Sequence, residues 1–519
     1  MRLDFQTYRD KVMGCWAGKN VGGVLGAPYE CYRQFNQVDF YTQDLSKGPP
    51  PNDDLDLQIV WLAAVERYGR NVNAAILGEY WLSFVIPNWV EYGMGKANLR
   101  AGLVPPMSGS VDNPYRNSCG CFIRSEIWAC LAPGMPALAA RYAYEDAIVD
   151  HGGEGMYGEI FCAALQSAAF VEADPQKLMD IALSYIPDDC KVAACVRTAR
   201  TCFAEGVAFR EAIGKVHDAA PGTFGVQWVT QREAMERSKA MGMSEVGEPG
   251  FDAPENIGFL ILGWLYGDDF GDKLCKANAC GEDTDCTCAT LGALLGIIMG
   301  NSNLPKKWLA PLDDKIVTLC IDKTGGGIWV PNTVTELTDR LLRVTPLFLG
   351  AQLCDIMAEG GYAIETMEGE GLYCPRSGDY QHQMNGFGKD HALPISELCA
   401  LSANVARYEF PAFSVMVDLG ESPFFRHGER RELVVRVKNS LSMRQQQWAT
   451  ISLHAPAGVE TLGAASVMLP LNNLWGSEAV TTFAVNADGY AAAKLNLFID
   501  IALEGRHSTG TIKATLMRG

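Results

Sequence analysis

Near residue 406 the apolar residues of this chain change their spacing, and that change separates two kinds of fold. Beyond it, Leu433, Val435 and Val437 alternate with polar residues, as do Ala449, Ile451 and Leu453. Leu495, Leu497, Ile499, Ile501 and Leu503 form a longer run, and Ile512, Ala514 and Leu516 close the chain. A period of two, broken by turns such as Pro456-Ala457-Gly458 and Ala487-Asp488-Gly489, means β-strands. About seven short strands in roughly 110 residues predict an immunoglobulin-like sandwich over 406–519. No His/Asp/Glu constellation there carries chemistry, so it reads as an accessory module.

Residues 1–345 read as an all-α region instead. Apolar positions recur at helical spacing over 8–18, 57–68, 74–85, 123–131, 135–149, 157–171, 175–185, 191–205, 253–266 and 285–299. Small residues four apart, such as Gly292, Gly296 and Gly300, let helices approach closely. Residues 346–405 form a mixed connecting segment punctuated by Gly360, Gly361, Gly369, Gly371, Gly378, Gly386 and Gly388.

Composition sets limits on partners. A net charge of −18 argues against nucleic acid or an anionic membrane surface. The N-terminus has no apolar leader, and the most apolar stretch, 289–299, is too short to span a bilayer. A cytoplasmic location follows as the expectation. The 17 cysteines are then expected to be reduced and buried. Cys119-Gly120-Cys121 and Cys286-Thr287-Cys288 lack the C-x-x-C or His partners of a zinc motif, so zinc is not expected.

Two acidic clusters carry the candidate chemistry. They are Asn52-Asp53-Asp54-Leu55-Asp56 and Gly281-Glu282-Asp283-Thr284-Asp285-Cys286-Thr287, each just before an apolar segment that reads as a buried helix. The plain reading is helix capping, which Asp and Asn favour. Capping needs one acid, however, and each cluster has more. Two overloaded helix starts point to a shared site for hard divalent cations, Mg²⁺ or Mn²⁺. A third element joins them: the segment from Lys11 runs through Gly14, Gly18, Gly22, Gly23 and Gly26 to Glu30. It reads as a helix entering a Gly-rich turn that presents one carboxylate.

Together the three segments resemble the ADP-ribosylglycohydrolase family over roughly residues 8–345. That family has a glycine-spaced opening ending in a carboxylate, a Thr-Asp-Asp-Thr motif and a later Gly-Asp-Thr-Asp-Thr/Ser motif. The resemblance implies an all-α fold with a two-metal site, usually Mg²⁺. It carries the metal ligands onto Asn52, Asp53, Asp54, Asp283 and Asp285, with Asp56 as an added carboxylate. Glu30 takes the acid–base position, and Asp54 and Asp285 join it as catalytic candidates. Asp150-His151-Gly152-Gly153-Glu154 looks like the family's central segment, making His151 a substrate-contact candidate alongside Asn117 and Gly120 of the polar loop 102–124. Three positions depart from the pattern: Asn52 and Leu55 stand where Thr is usual, and Cys286 puts a soft thiol where a hard oxygen is expected. Thr284 or Thr287 is then a candidate to supply the missing oxygen.

The expected activity is metal-dependent hydrolysis at C1 of a ribofuranosyl group, in an ADP-ribosylated protein or a small ADP-ribose derivative. One alternative is a glycosidase acting on another furanoside, with the sandwich as its accessory module. Another is a non-catalytic ADP-ribose-binding protein. Tyr29, Trp89, Tyr92, Tyr115 and Trp128 are aromatics that a base or sugar would stack on.

Overall fold

The first helix, Phe5–Gly26, is longer than its sequence suggests. The glycines that read as a turn stay helical, and a short turn, Ala27–Tyr29, follows them. The reason is tertiary. This helix packs antiparallel against Thr284–Met299, glycine to backbone along its length. A Cβ on Gly14 would sit 2.3 Å from the carbonyl oxygen of Gly296, and one on Gly18 would sit 2.0 Å from that of Gly292. Glycine is a poor helix former, but only glycine permits backbones this close.

The computed structural model describes residues 1–223, 230–248, 250–324, 327–375, 393–440, 446–471 and 478–519. Gly378, Gly386 and Gly388 lie outside them. The chain divides into two compact units, 1–96 with 112–375 and 97–111 with 376–519.

The first unit is helical, with one small antiparallel sheet. Its centre is Ala363–Glu365, flanked by Arg2–Asp4 and Cys354–Asp355. Part of the segment read as a connector is thus strand, paired with the N-terminus of the helical unit. Asp4 then caps the first helix by accepting from the Thr7 N–H at 3.0 Å.

The second unit holds two five-stranded sheets. One runs Ser466–Leu471, Gln447–His454, Lys494–Leu503, Thr509–Arg518, Phe424–Phe425. The other runs Val405–Glu409, Phe413–Asp418, Arg430–Asn439, Glu478–Asn486, Glu460–Leu462. The alternation seen in the sequence is the buried face: Leu433, Val435, Ile451, Leu497 and Ile499 share one core. Leu103 and Met107, some 300 residues earlier in the chain, complete that core. Among the described residues ten strands replace the expected seven, because pieces as short as Phe424–Phe425 leave no period to read. Among the described residues, no helix is long and apolar enough to cross a membrane.

Candidate functional site

The last turn of the first helix touches both acidic clusters. A Cβ on Gly23 would lie 2.5 Å from Asn52 Nδ2 and 2.7 Å from Asp54 Oδ2. One on Gly26 would lie 2.4 Å from the Asp285 Cα. Gly23 and Gly26 are about one helical turn apart, so the two clusters meet there. The chain then turns to Glu30, and a short antiparallel bridge ties the next residues to the second cluster. The Cys31 N–H donates to the Glu282 carbonyl at 2.8 Å, and the Glu282 N–H donates to the Tyr32 carbonyl at 3.0 Å. Cys31 and Glu282 both adopt left-handed backbone, φ 63° and 62°. Strain of this kind persists where packing dictates it, often at functional sites.

Neither cluster acts as a helix cap. The helix Asp56–Tyr68 starts after Leu55 with no side-chain cap, and Asp283 stands at the start of Thr284–Met299 without capping it. The Asn52 side-chain oxygen instead accepts from the Asp54 N–H at 2.7 Å. Tyr92 Oη donates to Asp53 at 3.3 Å. Asp54 is 3% exposed, and neither carboxyl oxygen has a hydrogen-bond partner. Asp283 Oδ1 is likewise buried and unpartnered. Asp285 Oδ1 accepts from the next N–H, that of Cys286, at 2.9 Å.

The carboxylates sense one another. Burial, then the charges of Asp283, Asp53 and Asp54, push Glu30 up to about 8. The residue as a whole is exposed on the turn that carries it. Burial pushes Asp54 up to about 8 as well; Lys19 opposes this, and Asp53, Asp283 and Glu126 add to it. Burial with Glu30, Asp54 and Asp283 raises Asp285 well above the carboxylate range. Burial also raises Asp53, and Asp283 adds to the rise. Glu30, Asp53, Asp54, Asp283 and Asp285 are therefore one electrostatic group.

Other candidates lie elsewhere or are engaged in holding the fold. Asp56 Oδ2 accepts from the N–H groups of Leu319, at 2.7 Å, and Cys320, which anchors a loop, while its Oδ1 is buried without a hydrogen-bond partner. Glu282 pairs with Arg33 and accepts from the Gly250 N–H at 2.7 Å. Thr284 donates to the Gly26 carbonyl at 2.9 Å, and Thr287 donates to the Asp283 carbonyl at 2.6 Å. Neither hydroxyl proton is left to face the acids.

His151 is fully buried in a network of its own. It bonds Ser118 at 2.8 Å and lies 2.9 Å from Asp150, which Arg124 also holds. Burial lowers its pKa in spite of Asp150. In the same loop, the Asn117 carbonyl accepts from the Ala253 N–H at 2.8 Å. A Cβ on Gly120 would meet Glu91 at 2.1 Å. That loop reaches the acids through Cys119, whose thiol is hydrogen-bonded to Asp283. Trp128 is buried against Tyr142, whereas Trp89, 47% exposed, stacks on Tyr92.

Three neighbours escaped the sequence reading. Lys19, wholly buried in the first helix, pairs with Glu126 at 3.2 Å and faces Asp54. An ionisable residue inside an otherwise apolar, glycine-rich helix was the available signal. Asn256 accepts from the Asp283 N–H at 3.0 Å and from Thr287 at 3.3 Å, fixing the start of the late helix. Glu91 is buried, and its burial pushes it up to about 8. Nothing in the sequence around Asn256 or Glu91 singled them out.

Buried, unpartnered carboxylate oxygens are costly unless a cation shares the space. Lys19 is a cation facing Asp54, but its ammonium is already paired with Glu126. Asn52, Asp53 and Asp54 carry side-chain oxygens, the donor type a hard divalent ion takes. Asp283, Asp285 and Cys286 form a second set, with donor atoms within 4.8 Å of one another.

A family model described as ADP-ribosylglycohydrolase matches residues 4–347. No curated protein matches the chain. A solved structure titled "ADP-ribosylglycohydrolase-related protein complex" is similar at 18% identity with a TM-score of 0.42, covering 66% of this chain and 100% of that one.

Proposed function

The chain belongs to the ADP-ribosylglycohydrolase family, and from that premise we propose that its helical unit hydrolyses the C1 glycosidic bond of an ADP-ribosyl or closely related ribofuranosyl group with the help of divalent cations. The family acts on ADP-ribosylated substrates and is generally metal-dependent. One observation supports the reading above the others: Asp54 and Asp283 bring buried, unpartnered carboxylate oxygens to the place where Glu30 and Asp285 also converge.

Asn52, Asp53 and Asp54 would hold one cation, with Mg²⁺ the fitting ion for such donors, and Asp283 and Asp285 would hold a second. When bound, such ions orient ribose hydroxyls and lower the pKa of a bound water. The protein's own groups do the rest. Glu30, on the turn after the first helix, takes the proton of the attacking water. Tyr92 fixes the Asp53 carboxylate, and Asn256 fixes the backbone of Asp283. Hydrolysis at C1 passes through an oxocarbenium-like state, which the surrounding carboxylates favour electrostatically.

Trials on ADP-ribosyl-arginine, ADP-ribosyl-serine and nitrophenyl furanosides, with Mg²⁺ and with chelator, test this. Metal-dependent release from an ADP-ribosyl substrate supports the proposal. Turnover of the furanosides alone would move the activity to another glycoside. Binding of ADP-ribose without any turnover would make the protein a reader rather than a hydrolase.

A further inference from the structure

Resting on the reading that cations occupy the acid site, we propose that the position at the start of the Thr284–Met299 helix is built for a thiophilic divalent cation of the zinc type, held by Asp283, Asp285 and Cys286, and not for Mg²⁺. The three side chains are buried and their donor atoms lie within 4.8 Å of one another. A further sign of a ligand is Asp283, 3% exposed, whose Oδ1 has no hydrogen-bond partner. Asp54, whose carboxyl oxygens are also unpartnered, lies against Gly23, about one helical turn from the place where Gly26 meets Asp285.

Hydrogen bonds to backbone carbonyls hold both threonine hydroxyls of the first turn. The Thr284 hydroxyl donates to Gly26, and that of Thr287 donates to Asp283. The first turn of the helix adds the Cys286 sulfur to its oxygens, and more sulfur lies close by. The Cys119 thiol is hydrogen-bonded to Asp283, and Cys31 senses both Asp283 and Asp285. None of these thiols is in a disulfide.

Mixed carboxylate–thiolate sets favour zinc and its neighbours, while Mg²⁺ asks for oxygen alone. Cysteine spacing gave no hint of zinc, because two of the three donors are aspartates. Binding replaces the Cys286 proton, which leaves to solvent, and no oxidant is involved.

Cobalt(II) reports the donor directly, because thiolate ligation gives an intense near-ultraviolet charge-transfer band. The full-length protein, stripped by chelator, should show that band on Co²⁺ addition. Stoichiometric Zn²⁺ should abolish it, and excess Mg²⁺ should not. Cys286→Thr and Cys286→Ser should each lose the band while keeping a cooperative thermal transition. Their preference for Zn²⁺ over Mg²⁺ should fall by roughly tenfold or more, the scale on which even outer partners of metal ligands act. Cys202→Ser, on the helix Lys191–Ala204, should keep the band. No band in the wild type, a band surviving in both Cys286 variants, or equal competition by Mg²⁺ and Zn²⁺ overturns the proposal. Mg²⁺-dependent glycoside hydrolysis without the band removes this inference alone. The band with no hydrolysis of any substrate upholds it and removes the proposed activity.

Discussion

Gly22 lies directly against the carbonyl of Cys288, where an added Cβ would meet the oxygen at 2.0 Å. Backbone cannot swing aside as a side-chain tip can, so Gly22→Ala must push the two helices apart. Gly18→Ala faces the same obstacle at Gly292. Each substitution should cost about 1–3 kcal/mol or more, read from thermal unfolding. Gly371→Ala, whose Cβ would meet nothing nearer than 3.5 Å, should stay within ~0.5 kcal/mol of wild type. Equal stability of all three variants would mean that the glycines are not what sets the helix spacing.

Asp54→Asn removes a buried charge that has no hydrogen-bond partner. In chelator, the variant should melt at or above the wild-type temperature, since burial and the charges of Asp53, Asp283 and Glu126 outweigh the attraction of Lys19. With Mg²⁺ at about 100 times its dissociation constant, the wild type should gain roughly 2.7 kcal/mol, and the variant should gain far less. A variant that responds to Mg²⁺ as fully as the wild type would take Asp54 out of the cation site.

Asn256 is not among the candidate ligands, yet its side-chain oxygen accepts from both the Asp283 N–H and the Thr287 hydroxyl. Asn256→Ala should therefore weaken cation binding roughly 10–100-fold, as loss of an outer partner does, with a smaller effect on melting in chelator. Asp285→Ala removes a candidate ligand itself and should abolish metal-dependent turnover while most of the fold stays intact. Calorimetry of metal binding and turnover measured side by side separate the two roles.

His217 supplies a test on pH. Its Nδ1 lies 2.5 Å from Glu255, and its Nε2 donates to the Glu245 carbonyl at 3.1 Å. Burial opposes the charge, but Glu255, aided by Glu282 and against Arg33, raises the pKa. A pKa raised on folding means that the charged form stabilises the native state. That contribution is complete below about pH 6.5, the unfolded value, and fades as pH rises through the folded value. His217→Gln should cost roughly 1.5–3 kcal/mol at pH 6 and less at pH 9, by denaturant unfolding. A gap that widens with pH would mean that His217 is neutral in the fold.

What could be read in advance and what could not divide along physical lines. Asp53, Asp54, Asp283 and Asp285 stand out because two acids at a helix start form a local pattern, visible without the fold. Asp56 belongs to the same run, but the helix turns it toward Leu319 and Cys320, which sequence order does not reveal. Gly22 and Gly26 read as a turn because propensity counts glycine as a breaker; the close approach that keeps them helical is set by residues over 250 positions away. Lys19 and Glu126, 107 residues apart, are a pair only once folded. In the sheets the alternation was plain, whereas Glu460–Leu462 is too short to show one.

Leu103 and Met107 sit in the core of the β unit although the described strands of that unit begin only at Val405. Around them, a Cβ on Gly102 would meet Thr515 at 3.1 Å, and Lys494 donates to the Arg100 carbonyl at 3.4 Å. The two side chains are 3% and 2% exposed, so each fills space that the strands leave open. Leu103→Ala and Met107→Ala in the full-length protein should each cost about 2–5 kcal/mol in the unfolding of the β unit. A fragment spanning 393–519 lacks both side chains and leaves their place in the core open to water. It should bind a hydrophobic dye and melt broadly, and adding a 97–111 peptide should sharpen the transition. A fragment that melts cooperatively and ignores the peptide would show that the strands close their core unaided.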